Sequence, residues 1–357
     1  MRLLFVAFGQ SIHTIKWVKH FADSGHQVML ASFYPPRPVP NADVRHIPCA
    51  NRNLVFLKTG SIKKLIREFN PEIIHAHYAS SCGLVASLTG FHPFVLSVWG
   101  DDILEFPRKS PVHKYVVKNT IMRADYVTAT SNMLANKTLD LIEHRKEVRV
   151  IPFGVDLDKF KPAQKSINDS IVIGTARSFT PKYGLEYLIR AFAALRQKHP
   201  NIRLTLIGDG PLREKMQALA VSLGIDDSTT FLGAIPNDEV AVRIRDFDIF
   251  VMPSVGEGDI FGVAAVEAMA TALPVVATRV GGLAEVVDDG KTGTIVKPAD
   301  IDSLVEGIEP YILSEALRIE RGRQGRARAE KLYNWRKNAA MMESLYREII
   351  CKRQSNT

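Results

Sequence analysis

The feature that most restricts this chain is a repeated alternation of short β-branched apolar runs with helical patterns. Residues 3–7, 27–31, 72–77, 94–99, 126–129 and 148–151 read as strands, separated by stretches of helical spacing. In the first of these stretches Ile12, Ile15, Val18 and Phe21 recur near 3.6-residue spacing, and Gly25 supplies the stop. Strands alternating with helices predict right-handed βαβ units and a parallel sheet covered on both faces. A polar stretch with Pro, Lys and Ser, residues 159–170, reads as a linker. The series then restarts at 171–176, 202–207, 249–252, 274–277 and 293–296. A helix opening at Gly184 places Leu185, Leu188, Ile189, Phe192 and Leu195 on one face. The expectation is an α/β protein of two doubly wound domains joined near residue 160. Ligands of such sheets sit at the carboxyl ends of strands, so a cleft between facing domains is the natural site.

Length agrees, since 357 residues suit two domains of roughly 150–200 each. A hydrophobic fraction of 46% and a charged fraction of 24% exclude disorder and a fibrous repeat. The apolar runs fall well short of ~18 residues, so no membrane-spanning helix is expected. The opening residues read as a strand rather than a signal peptide. Three scattered cysteines, Cys49, Cys82 and Cys351, suggest a reducing compartment and no zinc site.

The net charge of +8 is segregated. Residues 1–157 hold 19 Lys and Arg against 12 Asp and Glu, residues 158–317 hold 16 against 22, and residues 318–357 hold 11 against 4. A basic front and tail can be ordinary surface variation, or can serve an anionic partner such as membrane lipid, nucleic acid or a phosphorylated substrate.

Two segments carry the chemistry. Arg177 and Lys182 fall on the loop after the strand at 171–176, where both cations reach one anion. A planar fork and a point charge suit a diphosphate. Further on, a strand ends at Met252, a Gly-rich loop follows and a helix starts near Phe261. Main-chain N–H groups of Gly262 and Val263 then form a phosphate site at the helix N-terminus. Asp259 precedes that helix, either as a dipole-stabilising charge or as a ligand group. Glu267 lies two turns in, a lone carboxylate among small apolar residues, suited to sugar or ribose hydroxyls.

These residues resemble the fingerprint of the retaining glycosyltransferases of family 4, group 1, which have the GT-B fold. The matching motifs are Pro253-Ser254, Asp259-Ile260-Phe261-Gly262, Glu267-Ala268-Met269-Ala270, residues 274–278 (PVVAT), Gly281-Gly282 with Glu285, and Gly290 with Gly293. The order agrees over about the whole chain. The resemblance implies two Rossmann-like domains facing across a cleft. An acceptor domain would cover 1–160, with a terminal helix at about 335–357 packing back on it, and a donor domain 161–334. It implies that Arg177 and Lys182 hold the donor diphosphate, Gly262 and Val263 donate to it, Asp259 lies beside the donor sugar and Glu267 binds ribose. Asp259 stands where the family usually has Glu, and Glu257 is an alternative occupant of that place.

The front half departs further. One glycine, Gly9, follows the first strand where the family often has two; it is read as letting main chain approach donor or acceptor. His13 nearby is a substrate or a packing residue. Trp99 stands where relatives often carry a histidine, and Asp101 after it is read as binding hydroxyls. His75 and His77 share one face of a strand. His75 is expected in the core, and His77, nearer the strand end, in the cleft as a catalytic group. Asp101-Asp102, Asp226-Asp227 and Asp288-Asp289 read as solvated turn pairs.

The implied reaction moves a sugar from a UDP- or GDP-sugar to a hydroxyl of a saccharide or lipid-linked saccharide, with retention. It serves surface polysaccharide or glycolipid synthesis. No cofactor or metal is expected, because two fixed cations can neutralise the diphosphate. The enzyme is expected in the cytoplasm, peripheral on the inner face of an anionic membrane. The stretch 107–123, which has no acid, would lie against the bilayer. A nucleotide-sugar epimerase or phosphorylase-like enzyme of the same fold is the alternative. A nucleic-acid-binding protein lacks support, having no Arg-rich aromatic platform. A dehydrogenase would need GxGxxG after the first strand, where only Gly9 stands.

Overall fold

The computed structural model describes residues 1–49, 51–163, 170–256 and 259–355, with main chain only at 52 and 53. It divides into two units, Met1–Pro152 with Ala339–Thr357, and Phe153–Asn338. The first holds β1 (Arg2–Val6), α1 (Ile12–Asp23), β2 (Gln27–Ser32), β3 (Asp43–His46), α2 (Thr59–Phe69), β4 (Ile73–His77), α3 (Cys82–Thr89) and β5 (Phe94–Val98). After these come α4 (Asp101–Leu104), α5 (Pro111–Arg123), β6 (Tyr126–Ala129), α6 (Asn132–Leu141) and β7 (Val148–Val150). Its sheet runs β3-β2-β1-β4-β5-β6-β7, every pair parallel. Order reverses between β1 and β4, so the loops after these two strands diverge and leave room at their carboxyl ends.

The second unit holds β8 (Ile171–Ala176), α7 (Leu185–Lys198), β9 (Ile202–Ile207), α8 (Arg213–Ser222), β10 (Thr229–Gly233), α9 (Asn237–Arg243) and β11 (Ile249–Met252). It continues with α10 (Val263–Ala270), β12 (Val275–Thr278), α11 (Leu283–Val286), β13 (Gly293–Val296), α12 (Ile301–Leu313) and α13 (Glu315–Leu332). The sheet order is β10-β9-β8-β11-β12-β13, again parallel, with the reversal between β8 and β11. All five predicted face residues of α7 are buried in its core.

α14 (Trp335–Ser355) starts in the second unit and from Ala339 belongs to the first. There Ala339, Met342, Leu345, Tyr346 and Ile349 are buried. The Tyr346 ring lies 5.1 Å from Phe21 of α1, and its hydroxyl shares a 2.5 Å hydrogen bond with His75 Nδ1 of β4. Glu348 accepts two hydrogen bonds from the Arg149 guanidinium, at 2.6 and 3.1 Å.

Three expectations change here. The boundary falls at Pro152, before residue 160: Phe153 packs edge-on to Phe261, and Val155 donates its N–H to the Tyr333 carbonyl at 2.7 Å. Part of the supposed linker, residues 164–169, lies outside the described residues. The basic tail is divided between the units. Residues 318–338, with 8 Lys and Arg against 2 Glu, belong to the second unit. Several of these arginines satisfy carbonyls: Arg326 donates to Phe160 and Ala270, Arg328 to Glu285 and Val286, Arg318 to Tyr311. The first unit still holds 22 Lys and Arg against 13 Asp and Glu, and the second 24 against 25.

Tyr346 closes the core between α1 and β4. Tyr346→Ala should lower stability by about 3–5 kcal/mol, as for other buried aromatics. Tyr346→Phe, which leaves His75 Nδ1 unpaired, should cost about 1–3 kcal/mol. Urea unfolding monitored by far-UV dichroism measures both.

Candidate active site

In the second unit the chain leaves β8 at Ala176 and turns under the loop after β9. Arg177 N–H donates to the Ile207 carbonyl and Phe179 N–H to that of Asp209. Gly208 and Gly210 have φ of +132° and +155°, and a Cβ on Gly208 would come 1.9 Å from the Arg177 carbonyl. Only glycine permits both the angle and the approach. This Gly208-Asp209-Gly210 loop is a part of the site that the motif reading missed. Its signal was available, a Gly-x-Gly directly after a strand.

The Arg177 side chain, 7% exposed, lies across the carboxyl end of the sheet. Its Nη2 donates to Asp259 Oδ2 at 2.5 Å, and its guanidinium carbon sits 3.9 Å from the Tyr183 ring centre. Ser254 Oγ donates to the same Asp259 oxygen at 2.7 Å. Arg177 Nε is buried without a partner among the described residues. Asp259, also 7% exposed, is thus turned onto the arginine and serine. Glu257, the alternative carboxylate, lies outside the described residues.

Lys182 is exposed, 5.1 Å from the Tyr183 ring centre. Its carbonyl accepts the N–H of Val255, tying this turn to the loop after β11. Gly184 follows at φ +62°, where a Cβ would strike the Pro253 carbonyl. Gly262 caps α10 at φ +74°, and Val263 begins the helix. No side chain caps this terminus and no acid occupies its first turn. Within the helix, then, no acid in the first turn offsets the positive end of α10. Glu267, one face further along, accepts from Asn237 Nδ2 at 3.2 Å.

The first unit gathers aromatics at the ends of β1, β4 and β5. His75 is in the core as expected, its Nε2 at 2.7 Å from Ser97 Oγ. His77 differs from expectation: it is fully buried beneath Trp99, ring centres 4.0 Å apart. Its Nδ1 faces Thr14 Oγ1 at 3.3 Å, and Nε2 has no partner among the described residues. Burial, with His75 and His13 nearby, holds its pKa well below the usual value. The ring is thus covered by Trp99 rather than open to solvent. His13 is half-buried beside Trp99, and burial followed by Lys16 lowers its pKa to about 4. Asp101 is exposed at the start of α4.

Asp102 corrects the reading of a solvated pair. It is buried, accepting N–H bonds from Ala79 at 2.7 Å, Gly100 at 2.8 Å and Trp99 at 3.2 Å. Burial raises its pKa and these bonds oppose the rise. One carboxylate thereby joins the loops after β4 and β5. Gly9 is corrected too: a Cβ there would lie 2.5 Å from Pro36 Cβ. The close approach that it permits is to Pro36, while its N–H donates to Ser32 Oγ at 3.0 Å.

Each unit thus has a parallel doubly wound sheet, and in the second a buried arginine, an exposed lysine and the N-terminus of α10 follow the two strands at its switch point. The model of the group 1 glycosyl transferases matches residues 157–328, and that of the glycosyl transferase 4-like proteins residues 2–131. The chain belongs to the family 4, group 1 glycosyltransferases, and its fold is GT-B. It is 29% identical to an uncharacterised glycosyltransferase of Methanocaldococcus jannaschii, covering 96% of this chain and 95% of that one. It is also 29% identical to the GDP-mannose-dependent α-(1-6)-phosphatidylinositol monomannoside mannosyltransferase of Mycolicibacterium smegmatis, over 80% of this chain and 78% of the other. In fold it is similar to the sucrose-phosphate synthase of Thermosynechococcus elongatus, with a TM-score of 0.82, 23% identity and coverage of 98% and 99%. The Anabaena protein HepE in complex with UDP gives 0.83 at 20% identity, covering 98% of this chain and 100% of that one.

The neutral histidines set an acid limit on the first unit. Their pKa values are depressed on folding, from about 6.5 to about 3 at His75 and about 4 at His13. The unfolded chain therefore binds more protons below pH 6.5. Stability is complete above that pH and falls as pH drops toward 4, by up to about 1.4 kcal/mol per pH unit for each such histidine. Urea midpoints at pH 7.5 and 4.5 should show this loss, and His77→Leu should reduce it.

Proposed function

We propose that this glycosyltransferase moves a sugar from a UDP- or GDP-sugar to a hydroxyl of a saccharide or lipid-linked saccharide, retaining anomeric configuration and needing no metal. The observation that carries the reading is Arg177, an almost wholly buried cation at a strand end, followed by exposed Lys182. Both belong to the same unit as the uncapped terminus of α10. A buried guanidinium meets growing negative charge with little screening and no reorganisation. As the bond from the anomeric carbon to the diphosphate breaks, charge grows on the diphosphate, where Arg177, Lys182 and the N–H groups of Gly262 and Val263 receive it. The acceptor hydroxyl attacks from the same face and gives its proton to a diphosphate oxygen. Glu267 accepts ribose hydroxyls. Asp259 orients Arg177, and its free oxygen meets the donor sugar. In the first unit His13, Trp99 and Asp101 receive acceptor or sugar, with His77 supporting Trp99 from below.

The acceptor is read as a lipid-linked saccharide of surface polysaccharide or glycolipid synthesis, met at the cytoplasmic face of an anionic membrane. Two facts support this. The relative in Mycolicibacterium smegmatis is named for a phosphatidylinositol mannoside acceptor. The first unit carries the basic excess of the chain. Among the described residues no helix is long and apolar enough to cross a membrane.

A screen of UDP-, GDP- and ADP-sugars should show nucleoside diphosphate release from one donor, with NMR of the product reporting retention. Lys182→Ala should lower kcat/KM at least 100-fold without loss of fold, since the side chain is exposed. Arg177→Ala leaves Asp259 buried and unpaired, at about 3–5 kcal/mol of stability, so Arg177→Lys is the cleaner variant. Turnover should persist in excess EDTA. Full activity in Lys182→Ala would sink the diphosphate assignment.

A further inference from the structure

We infer that the first unit has a groove which takes one hydrocarbon chain of an anionic membrane lipid; this rests on the reading of the enzyme as one that works at such a membrane. The groove, about 190 Å³, lies beside the loop after β4, between the 3-10 segment Arg52–Lys58, the start of α3 and α5. Val55, Phe56, Leu84, Phe106, Val112 and Val116 form its walls. Ser81 Oγ, buried there, has no hydrogen-bond partner among the described residues and can donate to a lipid ester or hydroxyl.

The two segments that wall it expose large apolar side chains, of which Phe56 and Val112 line the groove itself. Leu57 is 65% exposed, Val112 and Tyr115 69% each, and Leu54 and Phe56 more than 40%. Isolated exposed apolar residues are ordinary. Here five come from two segments around one groove, the pattern of a surface that is covered in use.

Charge selects the occupant. Residues 51–67 and 106–123 contain no acid, and between them carry Arg52, Lys58, Lys63, Lys64, Arg67, Arg108, Lys109, Lys114, Lys118 and Arg123. Lys118 pairs with Glu143 and Lys64 with Glu68, and Glu105 stands just before the second segment. Lys109, 5.5 Å from the ring centre of the lining residue Phe106, and Lys114, next in sequence to the lining residue His113, are exposed cations. An apolar slot walled by segments rich in cations and without acids matches an alkyl chain below an anionic head group. The walls are helical, so no strand edge offers main-chain pairing to an extended peptide.

The test uses the intact protein and monomeric alkyl phosphates of increasing length, below their self-association concentrations, with calorimetry as readout. Affinity should rise about three- to fourfold per methylene until the groove is full, then level off. Val116→Phe and Val112→Asp should abolish the rise; Val112 is exposed, so that variant keeps its fold. Lys109→Ala with Lys114→Ala should weaken all lengths equally. Affinity independent of length, or unchanged in both groove variants, overturns the proposal. Sedimentation with phosphatidylglycerol vesicles separates the two readings. Vesicle binding that is indifferent to the groove variants sinks the groove alone; chain-length dependence without vesicle binding supports the groove and sinks the membrane reading.

Discussion

Both sheets are parallel throughout and buried on both faces, and this constraint decides where chemistry can occur. Main-chain groups inside are consumed by the ladders, and the side chains between helices and strands are almost all apolar. Polar residues with freedom to act therefore appear where strands end. Arg177, Ser254 and Asp259 follow β8 and β11, and Trp99 and Asp101 follow β5. In each sheet the order of strands reverses beside those ends, which leaves their loops apart and the space above them unfilled.

Within that frame the buried pair of Arg177 and Asp259 organises the second unit. A guanidinium so little exposed needs a counter-charge, since an uncompensated buried ion costs several kcal/mol. Asp259 gives it, with Ser254 holding the carboxylate and Tyr183 covering the cation. The shorter acid fits this duty. Glycines then let the surrounding loops close in: Gly282 lies so near Ile260 that a Cβ would meet its carbonyl at 2.1 Å.

The architecture was legible because central strands must be continuous apolar runs, and eleven of them were marked nearly to the residue. The two that were missed, β3 and β10, each lie at one edge of their sheet, while β7 and β13 at the other edges were marked. Partly exposed strands such as Asp43–His46 and Thr229–Gly233 do not need that run. Motif spacing placed Arg177, Lys182 and Asp259 on loops after strands and Glu267 in the helix after β11, where the structure has them, since each lies in a short segment with a fixed relation to a strand end. It did not find Asp102, because the three N–H groups that make its burial tolerable come from two loops some 20 residues apart. It also put His77 in the open, because alternation reports a face of a strand and not what lies on top. The basic tail misled for a related reason. Net charge counts every arginine alike, while Arg318, Arg326 and Arg328 of α13 are bound to carbonyls.

The first unit is discontinuous, and this orders its assembly on the ribosome. The second unit is complete once Asn338 has been made. The first must then still wait for Tyr346, which covers Phe21 and His75. Until translation has passed this point, its apolar face stays open to chaperones and proteases. A chain released early thus carries a finished second unit beside an unfinished first one, and cells can recognise it by that exposed face.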